Sequence, residues 1–270
     1  MLRTRIITAT VLALILLAGL YRLPPAMAVA AFGAVFTIGA WEWSAFGGLR
    51  AWPARGAYAA AAALVMFAAW RWTWNPSHLL LLLGAACAWW VIALVWLCAF
   101  PSRQNPLFVL ACGLPVLVPP FVALARLQIS ANGVAHGPQA VLGLVLLVIS
   151  ADIGAYFAGR RFGKRKLAPR VSPGKTWEGA VGGLGVVALV AWGGAAHLGL
   201  PLPAAVAFGC AVGIFSVIGD LTESMFKRAA GLKDSGSLLP GHGGLLDRID
   251  SVTAAAPLYA LGLFGSGVIA

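Results

Sequence analysis

Residues 79–100 read LLLLLGAACAWWVIALVWLCAF, 22 residues without one charged side chain. A hydrocarbon core about 30 Å thick is crossed by roughly 20 apolar residues in helical conformation. A helix apolar on every face is either wholly buried in a large protein or a membrane span, and at this length without a charge the stretch reads as a span. The rest of the chain agrees: 61% of its 270 residues are hydrophobic, 10% are charged, and the mean hydropathy is +0.90. Soluble domains carry about a quarter charged residues. The expected fold class is an all-α polytopic integral membrane protein.

Working outward, further apolar runs lie near 6–21, 26–45, 57–70, 107–125, 140–158, 179–200, 202–220 and 252–269, giving about nine transmembrane helices with the N-terminus cytoplasmic. The first and third runs are short, and Pro119 with Pro120 predicts a kink in the fifth. Lys and Arg gather in cytoplasmic loops. With nine crossings, sixteen of the nineteen basic residues fall inside, and only Arg22, Arg71 and Arg126 fall outside. Losing one middle span would turn a strongly basic loop outward, so the alternation supports the number of crossings as well as their direction. Arg3, Arg5 and the Ala26-Met27-Ala28 stretch resemble a signal peptide with its cleavage site, but the apolar character resumes at once as a second span.

The formal charge of +11 is spread between spans as a topology signal, and no nucleic acid is expected as a partner. Cys87, Cys98, Cys112 and Cys210 sit in apolar runs without CxxC spacing, as small hydrophobes do. Trp41, Trp43, Trp70, Trp72 and Trp74 at span ends read as interface anchors, with Glu42 an interfacial acid between two of them. Seven glycines from Gly179 to Gly199 predict a helix that its neighbours approach closely. The chain divides into N-terminal transmembrane helices, 1–135, and a C-terminal transmembrane catalytic region, 136–270, with cytoplasmic loops 159–178 and 221–251.

Those two loops carry the chemistry. The first, GRRFGKRKLAPRVSPGKTWEGAVGG (159–183), contains seven basic residues and places Ser172, Lys175 and Thr176 in a turn just ahead of a helix start. Exposed N–H groups and the positive end of a helix dipole make such a corner a phosphate site. Gly174-Lys175-Thr176 is not a P-loop, since the glycine required five residues earlier is replaced by Pro169 and a membrane span comes before.

The second loop, ending in GHGGLLDRIDS (241–251), holds five of the eight acidic residues: Asp220, Glu223, Asp234, Asp247 and Asp250. If the eighth helix continues through Lys227, then Ser216, Asp220, Glu223 and Lys227 share one face. Asp247 and Asp250 share a face of the ninth helix. Oxygens converging at a membrane surface among Lys and Arg suit a hard divalent cation such as Mg²⁺ that also holds phosphate oxygens, the alternative being surface salt bridges of little worth. His242, Gly243 and Gly244 ahead of a helix start can bring backbone N–H groups to a phosphate. Asp152 lies within the sixth span near its cytoplasmic end, where a carboxylate is costly without a partner or polar cavity.

At these residues the chain resembles the phosphatidate cytidylyltransferases, also called CDP-diacylglycerol synthases. A 27-residue family signature is met in full by Ser224, Phe226, Lys227, Arg228, Lys233, Asp234, Gly236, Leu239, Pro240, His242, Gly243, Gly244, Leu245, Asp247, Arg248, Ile249 and Asp250. Asp152 to Tyr156 and Ser172 to Glu178 also resemble family segments, so the likeness spans about 140–251. The resemblance implies that CTP and phosphatidate give CDP-diacylglycerol and pyrophosphate with Mg²⁺, leaving room for a second, monovalent cation, and it suggests a homodimer. The expected location is the bacterial inner membrane, multi-pass, with the active site facing the cytoplasm.

On this reading the metal ligands are Asp220 and Asp247, with Glu223 and Asp250 in or beside the shell. Lys175, Lys227, Arg228, Lys233 and Arg248 hold phosphates, and Asp152 orients a basic group or ligand. Ser172, Thr176, Ser224, His242, Gly243 and Gly244 line the substrate sites. The rivals are a CTP-dependent polyprenol-type lipid kinase and, from another class, a transporter using Asp152 as its coupling residue. The complete signature argues against the first, and the clustering of acids at one membrane face against the second.

Overall fold

The structure, a computed structural model, describes residues 2–100, 105–130, 137–196, 199–238 and 243–269. Among these residues the chain forms nine α-helices: α1 (Leu2–Arg22), α2 (Pro25–Phe46), α3 (Trp52–Trp72), α4 (Pro76–Cys98), α5 (Pro106–Ile129), α6 (Gly137–Phe162), α7 (Trp177–Gly194), α8 (Leu202–Ala229) and α9 (Leu246–Gly265). Each expected span has its helix. Six of them (α2, α4, α5, α6, α7 and α8) are long and apolar enough to cross a membrane on length and composition alone.

Proline marks where many of these helices begin. It stands in the first turn of α2, α3, α4, α5 and α8, where its missing N–H costs nothing. Asn75 and Asn105 cap α4 and α5 through their side-chain oxygens. The prolines expected to kink the fifth span, together with Pro115, lie inside a helix that runs unbroken to Ile129. α5 is buried almost all round from Val116 to Ala125, and surrounding helices brace what the missing N–H groups weaken.

α5 and α9 form the centre. α9 touches α8, α4, α5, α6 and α2, and its Ala254, Ala255 and Ala256 are fully buried. Gly219 brings α8 against α9 so closely that a Cβ there would stand 2.5 Å from the Asp250 carbonyl oxygen. Leu64, Phe67, Leu81, Val95, Leu189 and Trp192 point outward, as side chains facing lipid do.

α6 packs most extensively on α7, along the glycine-rich seam that the sequence suggests. A Cβ on Gly154 would lie 2.8 Å from Val186 Cγ2 and 2.9 Å from Gly183 Cα. Gly154→Val should therefore push the helices apart and cost about 1–3 kcal/mol, seen as a lower unfolding temperature in detergent.

The basic loop after the sixth span is more ordered than a turn. α6 runs to Phe162, and Lys166–Ala168 (β1) and Ser172–Thr176 (β2) pair as an antiparallel hairpin with Lys166 opposite Thr176. Thr176 then caps α7 by accepting from Gly179 N at 3.1 Å. Glu178 reaches back to accept from Lys164 N at 3.0 Å and Arg165 N at 3.2 Å, closing the hairpin at its base.

Candidate active site

α8 continues as one helix through Lys227, so Ser216, Asp220, Glu223 and Lys227 share a face, as their spacing requires. α9 begins at Leu246 and places Asp247 and Asp250 in its first turns, opposite that face. The two helix ends do bring their acids together, but in two groups with different partners.

The outer group faces the hairpin. Lys175 Nζ on β2 meets Asp220 Oδ2 at 2.6 Å, and Asp220 Oδ1 accepts from Ser224 Oγ at 3.4 Å. Asp250 stands between the two groups, electrostatically close to Asp220 and Lys175 on one side and to Lys227 and Glu223 on the other, while Asp152 on α6 is close to Asp220, Lys175 and Arg248. A cavity of about 350 Å³ opens here, lined by Asp152, Tyr156, Arg160, Lys175, Thr176 and Val217. One turn below Asp220, the fully buried Ser216 hydroxyl has no hydrogen-bond partner among the described residues.

The inner group is built around Lys227, whose ammonium lies 3.1 Å from Glu223 Oε1 and 2.5 Å from Asp247 Oδ1. The other oxygen of Asp247 accepts from Gly244 N at 2.8 Å, Ser235 N at 2.9 Å and Ser235 Oγ at 3.0 Å. Burial works against the charge on Asp247. Lys227 and these N–H groups outweigh it and hold the carboxyl below the ordinary range.

This division bears on the expected metal set of Asp220, Glu223, Asp247 and Asp250. Among the described residues no three His, Cys, Asp or Glu side chains form a ready metal cage. Glu223 and Asp247 are engaged by Lys227. Asp220, paired with Lys175 of the cavity wall, and its neighbour Asp250 make no ion pair with Lys227 among those the described residues show, and the buried Ser216 hydroxyl, without a hydrogen-bond partner among those residues, lies one turn from Asp220. That donor set fits a hard divalent cation, which can be held by one or two carboxylates plus substrate phosphates rather than by an all-protein cage.

The other expected residues take varied places. Arg228 donates from Nε to Val171 O at 3.3 Å and from Nη1 to Leu232 O at 3.4 Å, bracing the hairpin against the end of α8. Lys233 and Asp234 are exposed, Ser172 opens β2, and Gly243 adopts φ 79°, a conformation that favours glycine. Arg248 is exposed on the first turn of α9. His242 lies outside the described residues, as do Leu239, Pro240 and Gly241.

Two residues of the N-terminal half depart from their expected interfacial places. Trp43 is fully buried, donates to Val109 O at 2.8 Å and packs on Phe226 of α8. Glu42 is also buried. It accepts from Leu245 N at 3.0 Å, Leu246 N at 2.7 Å and Ser235 Oγ at 2.9 Å, capping α9, which has no capping side chain of its own. The available signal is an acid inside an apolar span, which needs a partner.

The Cytidylyltransferase family model matches residues 3–264. The chain is 44% identical to the phosphatidate cytidylyltransferase of Pseudomonas aeruginosa, covering 99% of this chain and 98% of that protein. It is 39% identical to the Haemophilus influenzae protein of the same name, over 96% and 98%. A Synechocystis protein, also a phosphatidate cytidylyltransferase, is 46% identical over 46% of this chain and 45% of its own length. With the family's pattern matched from the first helix to the last, and relatives that align end to end, this chain belongs to the cytidylyltransferase family.

Proposed function

We propose that the chain transfers the cytidylyl group of CTP to phosphatidate, giving CDP-diacylglycerol and pyrophosphate, at the cytoplasmic face of a bacterial inner membrane. The observation that carries this reading is the meeting of Lys175 from one basic loop with Asp220 from the acidic one, beside a cavity at the end of the membrane spans. An anionic nucleotide arriving from water and an anionic lipid arriving from the bilayer can both reach such a place.

In the reaction an oxygen of the lipid phosphate forms a bond to the α-phosphorus of CTP. The bond from that phosphorus to the bridging oxygen of the β-phosphate breaks, and pyrophosphate leaves with the electron pair. The lipid phosphate is already ionised, so no protein base is required. The demand is for positive charge around three anionic groups.

Lys175 supplies some of it, exchanging its contact with Asp220 for a phosphate. Arg160 stands at the cavity wall, with Nη1 3.1 Å from the Tyr156 hydroxyl. Asp152 attracts Lys175 and Arg248 and so orients basic groups around the cavity. Lys227 is locked between two carboxylates, which suits it to holding α8 and α9 in register. Asp220 and Asp250 are the residues that would hold a divalent cation. When bound, that ion supplies neutralisation of the transferring phosphate and the leaving pyrophosphate.

Purified protein incubated with phosphatidate, Mg²⁺ and CTP labelled at the α- or γ-phosphorus tests the reading directly. Label should enter the lipid only from the α position, with pyrophosphate released. Entry only from the γ position would make the protein a lipid kinase, and entry from neither would refute group transfer to phosphatidate.

A further inference from the structure

We infer that Glu42, in the N-terminal half and outside the signature, is a positioning residue for the cytidylyl-transfer site, acting through Ser235 and the first turn of α9; the inference rests on the function proposed above. Its carboxylate comes from α2, about two hundred residues from its partners along the chain, and takes two backbone N–H groups at the start of α9. Those donors belong to Leu245 and Leu246, next to Asp247. A helix start without a cap of its own is thus held by a charge from another helix, in the orientation a helix dipole favours.

Ser235 joins this cap to the acidic site. Its Oγ lies 2.9 Å from Glu42 Oε2 and 3.0 Å from Asp247 Oδ2, and Asp247 N donates to it at 3.3 Å. A hydroxyl has one proton, so it donates to one carboxylate at a time. Glu42, Ser235, Asp247 and Lys227 form a continuous chain of contacts from α2 to the acid-bearing face of α8. None of the four needs to touch substrate for this to matter, because the chain sets where α9 begins and therefore where Asp250 stands.

The glycines of the signature supply independent support. A Cβ on Gly236 would lie 2.5 Å from Glu42 Oε1, and one on Gly244 would meet Ser235 Oγ first and then Glu42 Oε2 at 2.5 Å. The small residue at 236 leaves space that the Glu42 carboxylate fills, and the second glycine of the His-Gly-Gly triplet leaves space that Ser235 Oγ and the Glu42 carboxylate share. Neither glycine has a positive φ, so conformation does not demand them. Space does.

The test uses full-length protein in lipid nanodiscs, comparing wild type, Glu42→Gln, Glu42→Asp, Gly236→Ala and the Glu42→Asp/Gly236→Ala pair. Gln keeps one oxygen but turns an NH2 group toward donors, and kcat should fall about 10- to 100-fold while the KM for CTP changes by less than about threefold. Hydrogen exchange should quicken at the Leu245 and Leu246 amides and stay slow in the middle of α8. Gly236→Ala should give the same kinetic pattern. In the pair the shortened carboxylate makes room for the methyl, so the loss should be smaller than the product of the two single losses.

Unchanged turnover in Glu42→Gln overturns the inference, as does lost turnover with unchanged amide exchange, or multiplicative losses in the pair. If Glu42→Gln fails to fold, Gly236→Ala decides by the same two readouts. If wild type makes no CDP-diacylglycerol, the proposed function fails, and amide exchange alone decides whether Glu42 holds the start of α9.

Discussion

Asp220→Asn is expected to lower kcat by about two to three orders of magnitude while leaving the protein folded in the membrane. Its side chain is about one-quarter exposed, and its partners among the described residues are Lys175, which lines the cavity, and Ser224. Asparagine keeps the shape but removes the charge that would draw a hard cation to the site. The Mg²⁺ concentration for half-maximal turnover should rise, and Lys175, released from its ion pair, should stay available to phosphate. Steady-state assays across a Mg²⁺ titration separate these effects. Near-normal turnover at ordinary Mg²⁺ would remove Asp220 from the metal site.

Lys227→Met should chiefly affect stability. The Glu223 and Asp247 side chains on either side of the ammonium are only 4% and 7% exposed, so the substitution strands two buried carboxylates. Removing one partner of a buried ion pair costs about 3–5 kcal/mol, which would appear as a large drop in unfolding temperature in detergent. Adding Glu223→Gln should recover part of it. The partner variant Asp247→Asn shows the pH dependence. Asp247 has its value depressed in the folded state, so its contribution is present above the ordinary carboxylate range and is lost as pH falls through the lower folded value. The stability gap between wild type and Asp247→Asn should hold steady from neutral pH through mildly acidic buffer and close only in stronger acid.

Much of this arrangement is legible in the sequence because a membrane leaves few options. Backbone groups in hydrocarbon must be satisfied internally, so each uncharged run becomes a helix, and the runs match the helices closely. The 216–220–223–227 spacing likewise yields one face once α8 is continuous. What spacing cannot convey is which partner each acid takes. Asp220 and Asp247 look equivalent along the chain, yet one pairs with Lys175 of the cavity wall while the other is bound by Lys227, Ser235 and Gly244. The hairpin at 166–176 is hidden for a related reason: its strands are too short for an alternation pattern, and Glu178 and Thr176 hold its base through contacts visible only in three dimensions. Glu42 and Trp43 mislead because a polar or aromatic residue near a span end has the same signature whether it faces the interface or another helix.

The cap on α9 also orders events during synthesis. Glu42 emerges from the ribosome 204 residues before Leu246, the donor of its shortest hydrogen bond. At about 5–20 residues per second, roughly ten to forty seconds pass in which α2 is in place and its carboxylate lacks that partner. The proposed site is therefore among the last parts of the protein to form, and an interrupted polypeptide that ends before the ninth helix carries an acid in its second span that no later segment arrives to satisfy.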